Sequence, residues 1–296
     1  MSPADPDAVS PGGRPHAVDL HMHSTASDGT LAPEDVVAAA AVAALHAIAL
    51  TDHDTLHGLG AARAAGDRLG VRVVAGVELS ASENGREVHL LGLHLGRTDK
   101  LEQRLAVFRE TRRARAAEIV ALLNALGVPL DLASVLDLAG AGAGAVVGRP
   151  HVARAMTAHG WARDERDAFD RYLGHGRPAF VAKHHLPMGE AIALIHEAGG
   201  LAILAHPGPT GMRNRLEALA ALGLDGVEVL HPGHNRQDTA RIGMLADDLH
   251  LVPSGGSDWH GAIDGPRTIG CMNVPAVWLD RQDQRVARRS AREWVA

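Results

Sequence analysis

Three residues near the start of the chain, His21, His23 and Asp28, have the types and spacing of a metal site. They follow a short apolar segment that begins at Val18 and precede Gly29, which predicts a strand that ends in a loop. Residues two apart in a strand point to the same face, so both imidazoles can point to one place. Imidazole and carboxylate ligands together suit Zn, Mn or Fe better than Ca or Mg. Taken alone, the pair could equally be two unrelated histidines on an edge strand.

Further polar residues follow other short apolar segments along the chain. These segments alternate with helical patterns, which predicts an α/β fold with a parallel sheet or barrel. In α/β barrels the carboxyl ends of the strands form the rim that carries the active site. We therefore expect one rim to hold His21, His23, Asp28, His53, Glu78, His89, His151, His206, Asp258 and His260.

The pattern changes between residues 99 and 182. A long helical segment at residues 101–126 carries many charges, and further short helical segments follow it. We interpret residues 99–182 as a helical insertion, or cap, within a barrel made of residues 17–98 and 183–280. Residues 1–16 are rich in Pro, Gly, Ser and Asp and are predicted to be a disordered leader, and residues 281–296 a basic C-terminal tail.

Composition excludes several classes of protein. The 296 residues are 46% hydrophobic, which is enough for a sizeable core. A net charge of -6 argues against a protein that coats nucleic acid, although bound metal ions would still allow a phosphate substrate. One cysteine permits neither an intrachain disulfide nor a cysteine-based zinc site. With no segment typical of a signal peptide or a transmembrane helix, we expect a cytoplasmic protein without a membrane partner.

The order of the polar motifs resembles the PHP (polymerase and histidinol phosphatase) family. The motifs are His-x-His, Thr-Asp-His-Asp, Gly-x-Glu, His-x-Leu-Gly, Gly-Arg-Pro-His, Ala-His-Pro and Ser-Asp-x-His, and they span residues 17 to about 270. The resemblance implies a distorted seven-stranded α/β barrel that hydrolyses phosphoesters with divalent metals.

Carried over residue by residue, the resemblance implies three metal ions, with Mn²⁺ expected first and Fe²⁺ or Zn²⁺ as alternatives. The first ion would bind His21, His23, Glu78 and Asp258. The second would share Glu78 and add His89 and His151. The third would bind Asp28, His53 and His260. A hydroxide that bridges the metals would attack the phosphorus, and Asp28, His53 and His206 would contact the reacting phosphate, with His206 the first choice for acid catalysis.

Longer matched segments point to one group within that family, the nucleoside 3',5'-bisphosphate phosphatases and their 5'-3' exonuclease relatives. These segments include residues 147–153, 168–174, 177–181 and 199–207. In that group the insertion covers the active site, which implies that cap arginines bind the second phosphate. The expected substrate contacts are Asp28, His53, Arg112, Arg113, Arg115, Arg149, His151, Arg177 and His206. A solvated charged helix face remains the alternative for each arginine.

The expected substrate is therefore a small phosphorylated nucleotide such as pAp, which would lose its 3'-phosphate, or a short 5'-phosphorylated oligonucleotide. No obligate protein partner is evident. Two alternatives stay open: a histidinol-phosphate phosphatase, and a non-catalytic PHP module associated with a DNA polymerase. Asp52 and Asp54 could orient His53 or cap a helix. No role is assigned to His46, His57, His94 or His231.

Overall fold

The computed structural model of the chain describes residues 17–140, 146–182 and 186–293. The predicted leader, residues 1–16, lies outside these ranges, as do residues 141–145 of the predicted cap.

Seven strands form a nearly closed barrel. They are β1 (Ala17–Met22), β2 (Ala47–Leu50), β3 (Arg72–Glu83), β4 (Arg86–Leu93), β6 (Leu201–Leu204), β7 (Gly226–Leu230) and β8 (Val252–Gly255). Two further strands have only two residues each: β5 (Leu186–Pro187) pairs with β3, and β9 (Val274–Pro275) pairs with β1. The spatial order is β8-β7-β6-β4-β3-β2-β1-β9. One backbone hydrogen bond spans the gap between the β1 and β8 ends of the sheet: the N–H of His23 donates to the Trp259 carbonyl at 2.9 Å. The predicted distorted seven-stranded barrel is confirmed.

One connection differs from the expected alternation of strands and helices. Strands β3 and β4 form an antiparallel hairpin, and β4 also runs antiparallel to β6. The two residues of the turn, Asn84 and Gly85, have φ angles of 52° and 75°. An Asn-Gly pair adopts positive φ readily and matches the twist of a hairpin. The hairpin places His89 on an antiparallel strand and Glu78 in the middle of β3, so neither residue lies at the carboxyl end of a parallel strand.

The outer helices and the barrel interior have separate apolar cores. Helices α1 (Pro33–Val42), α2 (Leu59–Leu69), α7 (Met188–Glu197), α8 (Arg213–Ala221) and α9 (Arg236–Asp248) pack against the outward faces of the strands. The inward faces pack with residues of α10 (Ala276–Glu293), including Leu279 and Val286. Gln282 of α10 is buried and donates to the Pro253 carbonyl at 3.0 Å. Residues 281–293, which were predicted to belong to a basic tail, therefore form the second part of the packed helix α10. None of the helices described is both long and apolar enough to cross a bilayer.

One long helix extends from the barrel into the predicted cap. Helix α3 (Asp99–Ala125) has 27 residues, a length of about 40 Å. Leu101 and Leu105 near its start belong to the outer core of the barrel, whereas Ile119 and Leu123 belong to a separate cap core. The rest of the cap consists of α4 (Leu132–Leu138), α5 (Arg149–Ala158) and α6 (Glu165–Ala168), which continues as a π-helical turn at Phe169–Leu173. One helix therefore contributes side chains to both apolar cores.

Candidate metal centre and phosphate cavity

The fully buried carboxylate of Glu78 lies at the centre of the site. Five imidazole rings surround it: His21, His23, His53, His89 and His206. A ring nitrogen of each of the first three lies 3.2 Å from Glu78 Oε2. His89 Nδ1 and His206 Nε2 lie 2.8 and 3.1 Å from Oε1. The two carboxylate oxygens therefore face different sets of nitrogens, the arrangement that a bridging ligand requires.

Three overlapping groups of side chains have the geometry to hold a metal ion. The first consists of His21, His23, Glu78 and Asp258, the second of His53, Glu78 and His89, and the third of His23, Asp28, His53 and His260. The structure thus brings together eight of the nine predicted ligands. It also shares His23 and His53 between neighbouring groups, which spacing along the sequence did not indicate.

The buried polar atoms of these groups fit divalent cations. His21 Nε2, both ring nitrogens of His23, His53 Nδ1 and Glu78 Oε2 are buried without a hydrogen-bond partner among the described residues. Burying a polar atom without a partner costs about 1–3 kcal/mol of folding free energy. Five such atoms in one place therefore indicate a site for a bound cation. Imidazoles with carboxylates form a donor set that suits Mn, Fe or Zn.

The electrostatic field of the site keeps its carboxylates charged. Burial raises the pKa of Glu78, but electrostatic interaction with the imidazoles of His53 and His89 holds it well below its usual range. Burial lowers the pKa of His53 to about 3, although the carboxylates of Glu78 and Asp28 oppose this change. Burial also lowers the pKa of His23, but the carboxylates of Asp258 and Glu78, 3.3 and 3.2 Å from its Nε2, outweigh burial and raise that pKa to about 10. His53 is ready to donate a lone pair, whereas a cation at His23 must displace a proton.

A second layer of residues orients the groups that face the centre. Glu228 Oε1 lies 3.0 Å from His21 Nδ1, and Glu228 Oε2 accepts a bond of 2.7 Å from the backbone N–H of His206. His231 Nε2 is 3.4 Å from Asp258 Oδ2, which also binds Arg267. Sequence reasoning missed Glu228, His231 and Arg267. One signal was available for Glu228, an acidic residue inside the apolar strand β7.

Two aspartates position loops instead of binding the centre. Asp52 accepts hydrogen bonds from the backbone and hydroxyl of Ser24, each at 2.7 Å, and from the Ser27 hydroxyl at 2.7 Å. It therefore holds the loop that presents Asp28. Asp54 accepts a bond of 2.9 Å from the backbone N–H of Ser80 and pairs with Arg112.

The structure separates His151 from the other ligands predicted for the second metal. His151 lies in the first turn of α5, not at a strand end, and its Nδ1 accepts a 3.1 Å bond from the backbone N–H of Gly148. Its ring also hydrogen-bonds the backbone of Ser27, and burial lowers its pKa to about 4. His206, predicted to contact phosphate, lies nearer to this group: its ring centroid is 5.2 Å from that of His89, and its Nε2 is 3.1 Å from Glu78 Oε1.

A cavity of about 130 Å³ joins the centre to the cap. Asp28, His53 and His89 line one side, and Arg112, Arg115, Arg149 and His151 line the other. Burial, together with the neighbouring charges of Arg149 and Arg112, lowers the pKa of Arg115 to about 10. One nitrogen of Arg115, Nη2, is buried with no hydrogen-bond partner among the described residues. Arg113 and Arg177 are exposed and do not line the cavity, so the structure does not bring these two predicted contacts to the site.

A second cavity, of about 310 Å³, opens on the other side of the centre. His53 and His89 line both cavities, and His206, His231 and Arg267 are among the other residues of the second. Cationic groups thus flank the candidate metal ligands on two sides.

Comparison with protein families identifies the group to which this site belongs. The model of the PHP domain family matches residues 19–198, more than half of the chain. The chain is a member of the PHP family. The predicted family is therefore confirmed.

Named relatives align with more than four fifths of this chain. The chain is 37% identical over 248 residues to a 5'-3' exoribonuclease of Haemophilus influenzae, covering 82% of this chain and 89% of the relative. It is 36% identical over 270 residues to a 3',5'-nucleoside bisphosphate phosphatase of Chromobacterium violaceum, with 86% and 90% covered. A phosphoribosyl 1,2-cyclic phosphate 1,2-diphosphodiesterase of Eggerthella lenta is 36% identical over 264 residues, with 87% and 99% covered.

Solved structures share this PHP fold. A protein of Bifidobacterium adolescentis, described as a candidate metal-dependent phosphoesterase, superposes with a TM-score of 0.84 at 30% identity, covering 92% of this chain and 98% of that one. A Chromobacterium violaceum protein described as an amidohydrolase, solved with bound sulfate and no metal, gives a TM-score of 0.79 at 32% identity, with 92% and 96% covered. The family match, the named relatives and the Bifidobacterium structure support a phosphoesterase of the PHP type.

Proposed function

We propose that the protein is a divalent-metal-dependent phosphatase that removes the 3'-phosphate from nucleoside 3',5'-bisphosphates such as pAp. The observation that carries this proposal is the cavity in which candidate metal ligands face three arginines of the cap. A substrate with one phosphate needs only the metal side. A second anionic group is needed to engage Arg112, Arg115 and Arg149, so a bisphosphate uses both sides of the cavity.

The cap residues supply binding and orientation in this proposal. Arg115 has a buried nitrogen without a partner, and a phosphate oxygen would satisfy it. Arg149 is held over the rings of Phe169 and Phe180, with its guanidinium carbon 5.7 and 5.4 Å from the ring centroids. Both residues can thus bind the 5'-phosphate without first losing much conformational entropy.

The barrel residues would hold three divalent ions, Mn²⁺ first among the candidates and Fe²⁺ or Zn²⁺ as alternatives. Once bound, the ions supply Lewis acidity toward the phosphoryl oxygens and lower the pKa of water. We assign Glu78 as the bridge between the first two groups and His206, in place of His151, as the further ligand of the second. Asp28 and His53 belong to the third group and also line the cavity, so they contact the region of the reacting phosphate.

A second activity, 5'-3' exonucleolysis of short oligonucleotides, has its own support. The second cavity provides space beyond the reacting phosphate, and Arg267 at its edge can pair with the next phosphate of a chain. The exoribonuclease relative of Haemophilus influenzae is as similar to this chain as the phosphatase relative is.

The test compares substrates on one protein sample. We expect the Mn²⁺-loaded protein to release phosphate from pAp at least 100-fold faster than from histidinol phosphate, and a chelator to abolish the release. Mononucleotide release from 5'-phosphorylated RNA would establish the second activity. A phosphoribosyl 1,2-cyclic phosphate serves as the competing substrate because of the Eggerthella relative. Hydrolysis of that ester alone, or of none of these compounds, would overturn the proposal.

Variants of α3 test the role of the cap. Arg115→Ala removes a charged hydrogen-bond donor worth about 1.5–3 kcal/mol, so kcat/KM for pAp should fall roughly 10- to 100-fold. Turnover of a simple aryl phosphate should stay within about threefold, because it makes no contact with the cap. Arg113→Ala, on the exposed face of the same helix, is the matched control and should affect neither substrate. Equal losses on both substrates for Arg115→Ala would contradict the role of the cap.

A further inference from the structure

Arg154 of helix α5 extends from the cap to the loop that carries Asp28. Its Nη2 donates to the backbone carbonyl of Asp28 at 2.8 Å. Its Nε pairs with Glu165 Oε1 at 3.2 Å, which fixes the guanidinium from the other side. No function discussed above uses Arg154, and it does not line either cavity of the centre.

The loop between β1 and α1 is held from two directions. On the barrel side, Asp52 binds Ser24 and Ser27. On the cap side, Arg154 binds the Asp28 carbonyl, and the His151 ring, one helical turn earlier on α5, hydrogen-bonds the backbone of Ser27. The cap therefore contacts two successive backbone positions next to the Asp28 carboxylate.

That carboxylate is the acidic member of the third candidate metal group. Asp28 Oδ1 lies 3.3 Å from His260 Nε2, and Asp28 Oδ2 lies 3.9 Å from His53 Nε2. The first group has its acidic ligands on β3 and on the segment after β8, which Arg154 does not contact. A shift of the Asp28 loop would thus open the third group and leave the first intact.

We propose that Arg154 is a positioning residue through which the cap holds Asp28 in place for the third metal ion. The cap then does more than cover the cavity, because its position determines the affinity of one metal site in the barrel. This inference rests on the metal groups of the proposed function. Outer residues that orient a metal ligand typically change metal affinity by 10- to 100-fold when they are removed.

The test counts bound ions without measuring turnover. Full-length Arg154→Met keeps the aliphatic stem and removes the donors. In a Mn²⁺ titration followed by electron paramagnetic resonance, we expect one of three binding steps to weaken by 10- to 100-fold and the other two to stay within threefold. Arg166→Met, an exposed cap arginine that pairs with Asp170, is the matched control and should bind like the wild type. Arg154→Ala provides a second variant should the methionine pack in a new way.

A double-variant cycle identifies the weakened step. His260→Ala removes a ligand of the third group, so adding Arg154→Met to it should cause no further loss of Mn²⁺ binding. A further tenfold loss in the double variant, equal weakening of all three steps, or unchanged binding in Arg154→Met would each overturn the inference. Failure of the proposed function is a separate result, namely a protein that binds three ions and releases no phosphate from pAp.

Discussion

At the scale of single residues, the site depends on how each donor atom is held. The two nitrogens of His21 face different carboxylates, since Nε2 lies 3.2 Å from Glu78 and Nδ1 lies 3.0 Å from Glu228. A carboxylate behind an imidazole fixes its tautomer and strengthens it as a ligand. His206 and Asp258 have positive φ angles of 27° and 49°, which non-glycine residues adopt at a cost. Strain at two residues of one site is consistent with backbone that is arranged for binding.

We predict that Glu228→Gln weakens the first metal site. Glutamine keeps the shape of the side chain but removes the negative charge that holds His21, so the affinity of the ion bound by the first group should fall 10- to 100-fold. Competition with a chromophoric chelator measures this affinity. Glu217→Gln on α8, where the carboxylate pairs with Arg213 on the surface, is the control. Equal affinities for Glu228→Gln and the wild type would show that Glu228 does not orient His21.

At the scale of elements, the close approach of β1 to the segment after β8 places His21 in the site. A Cβ atom on Gly256 would lie 2.5 Å from both the backbone nitrogen and the Cβ of His21, and 2.8 Å from Asp19 Oδ1. No L side chain fits between these backbones. The φ angle of Gly256 is not in the left-handed region, so backbone conformation does not require glycine here. The short contact distance does.

We predict that Gly256→Ala destabilises the barrel and moves His21. Forcing a methyl group into this contact should lower the free energy of unfolding by about 1–3 kcal/mol. Urea denaturation in the presence of a chelator measures the change without the contribution of bound metal. Gly60→Ala in α2, where nothing lies within 4 Å of the added Cβ, should instead raise stability by about 0.5–1 kcal/mol. If the two variants gave the same result, the close contact at Gly256 would not matter for stability.

At the scale of the whole molecule, the C-terminal helix joins distant parts of the chain. Asp225, just before β7, accepts a 3.0 Å bond from the backbone N–H of Ala202 in β6 and lies 2.8 Å from His196 Nε2 in α7. Arg289 of α10 pairs with the same carboxylate and donates to the Gly200 carbonyl at 2.8 Å. One buried carboxylate therefore connects two helices and a strand.

This arrangement predicts a pH dependence of stability. Burial raises the pKa of Asp225, but hydrogen bonds from His196 and Ala202 and the charge of Arg289 lower it below the ordinary value of 3.8. A lowered pKa in the folded state stabilises the fold above the unfolded pKa, and this stability is lost as the pH falls through the folded pKa. We expect Asp225→Asn to lower the free energy of unfolding by about 2 kcal/mol at pH 6, and by progressively less below pH 4.

Urea denaturation at pH 6 and pH 3, with a chelator present, measures both values. The control is Asp283→Asn, which removes a more exposed carboxylate of α10 that pairs with Arg72 of β3. It should lower the free energy of unfolding at pH 6 by much less than Asp225→Asn does. A loss for Asp225→Asn that stays constant down to pH 3 would argue against the ionised carboxylate as its source.

Much of this protein follows from its sequence alone. Strand β2 is one of the short apolar segments, and helix α9 one of the helical patterns, whose alternation predicted an α/β fold. Such patterns are readable because apolar periodicity and turn residues act over a few positions. The types of the candidate metal ligands and their order along the chain also predicted the PHP family and its barrel. The hairpin was missed although the Asn84-Gly85 signal was present.

Tertiary structure alone decided which residues meet. His206 faces Glu78 and His151 does not, because His206 follows β6, which pairs with the β3–β4 hairpin through β4, whereas His151 lies on α5 of the cap. Arg115 faces the cavity and Arg113 does not, because a helix turns by about 100° per residue and only packing selects the buried face. Distances between residues far apart in sequence depend on how the elements pack, and no local pattern carries that information.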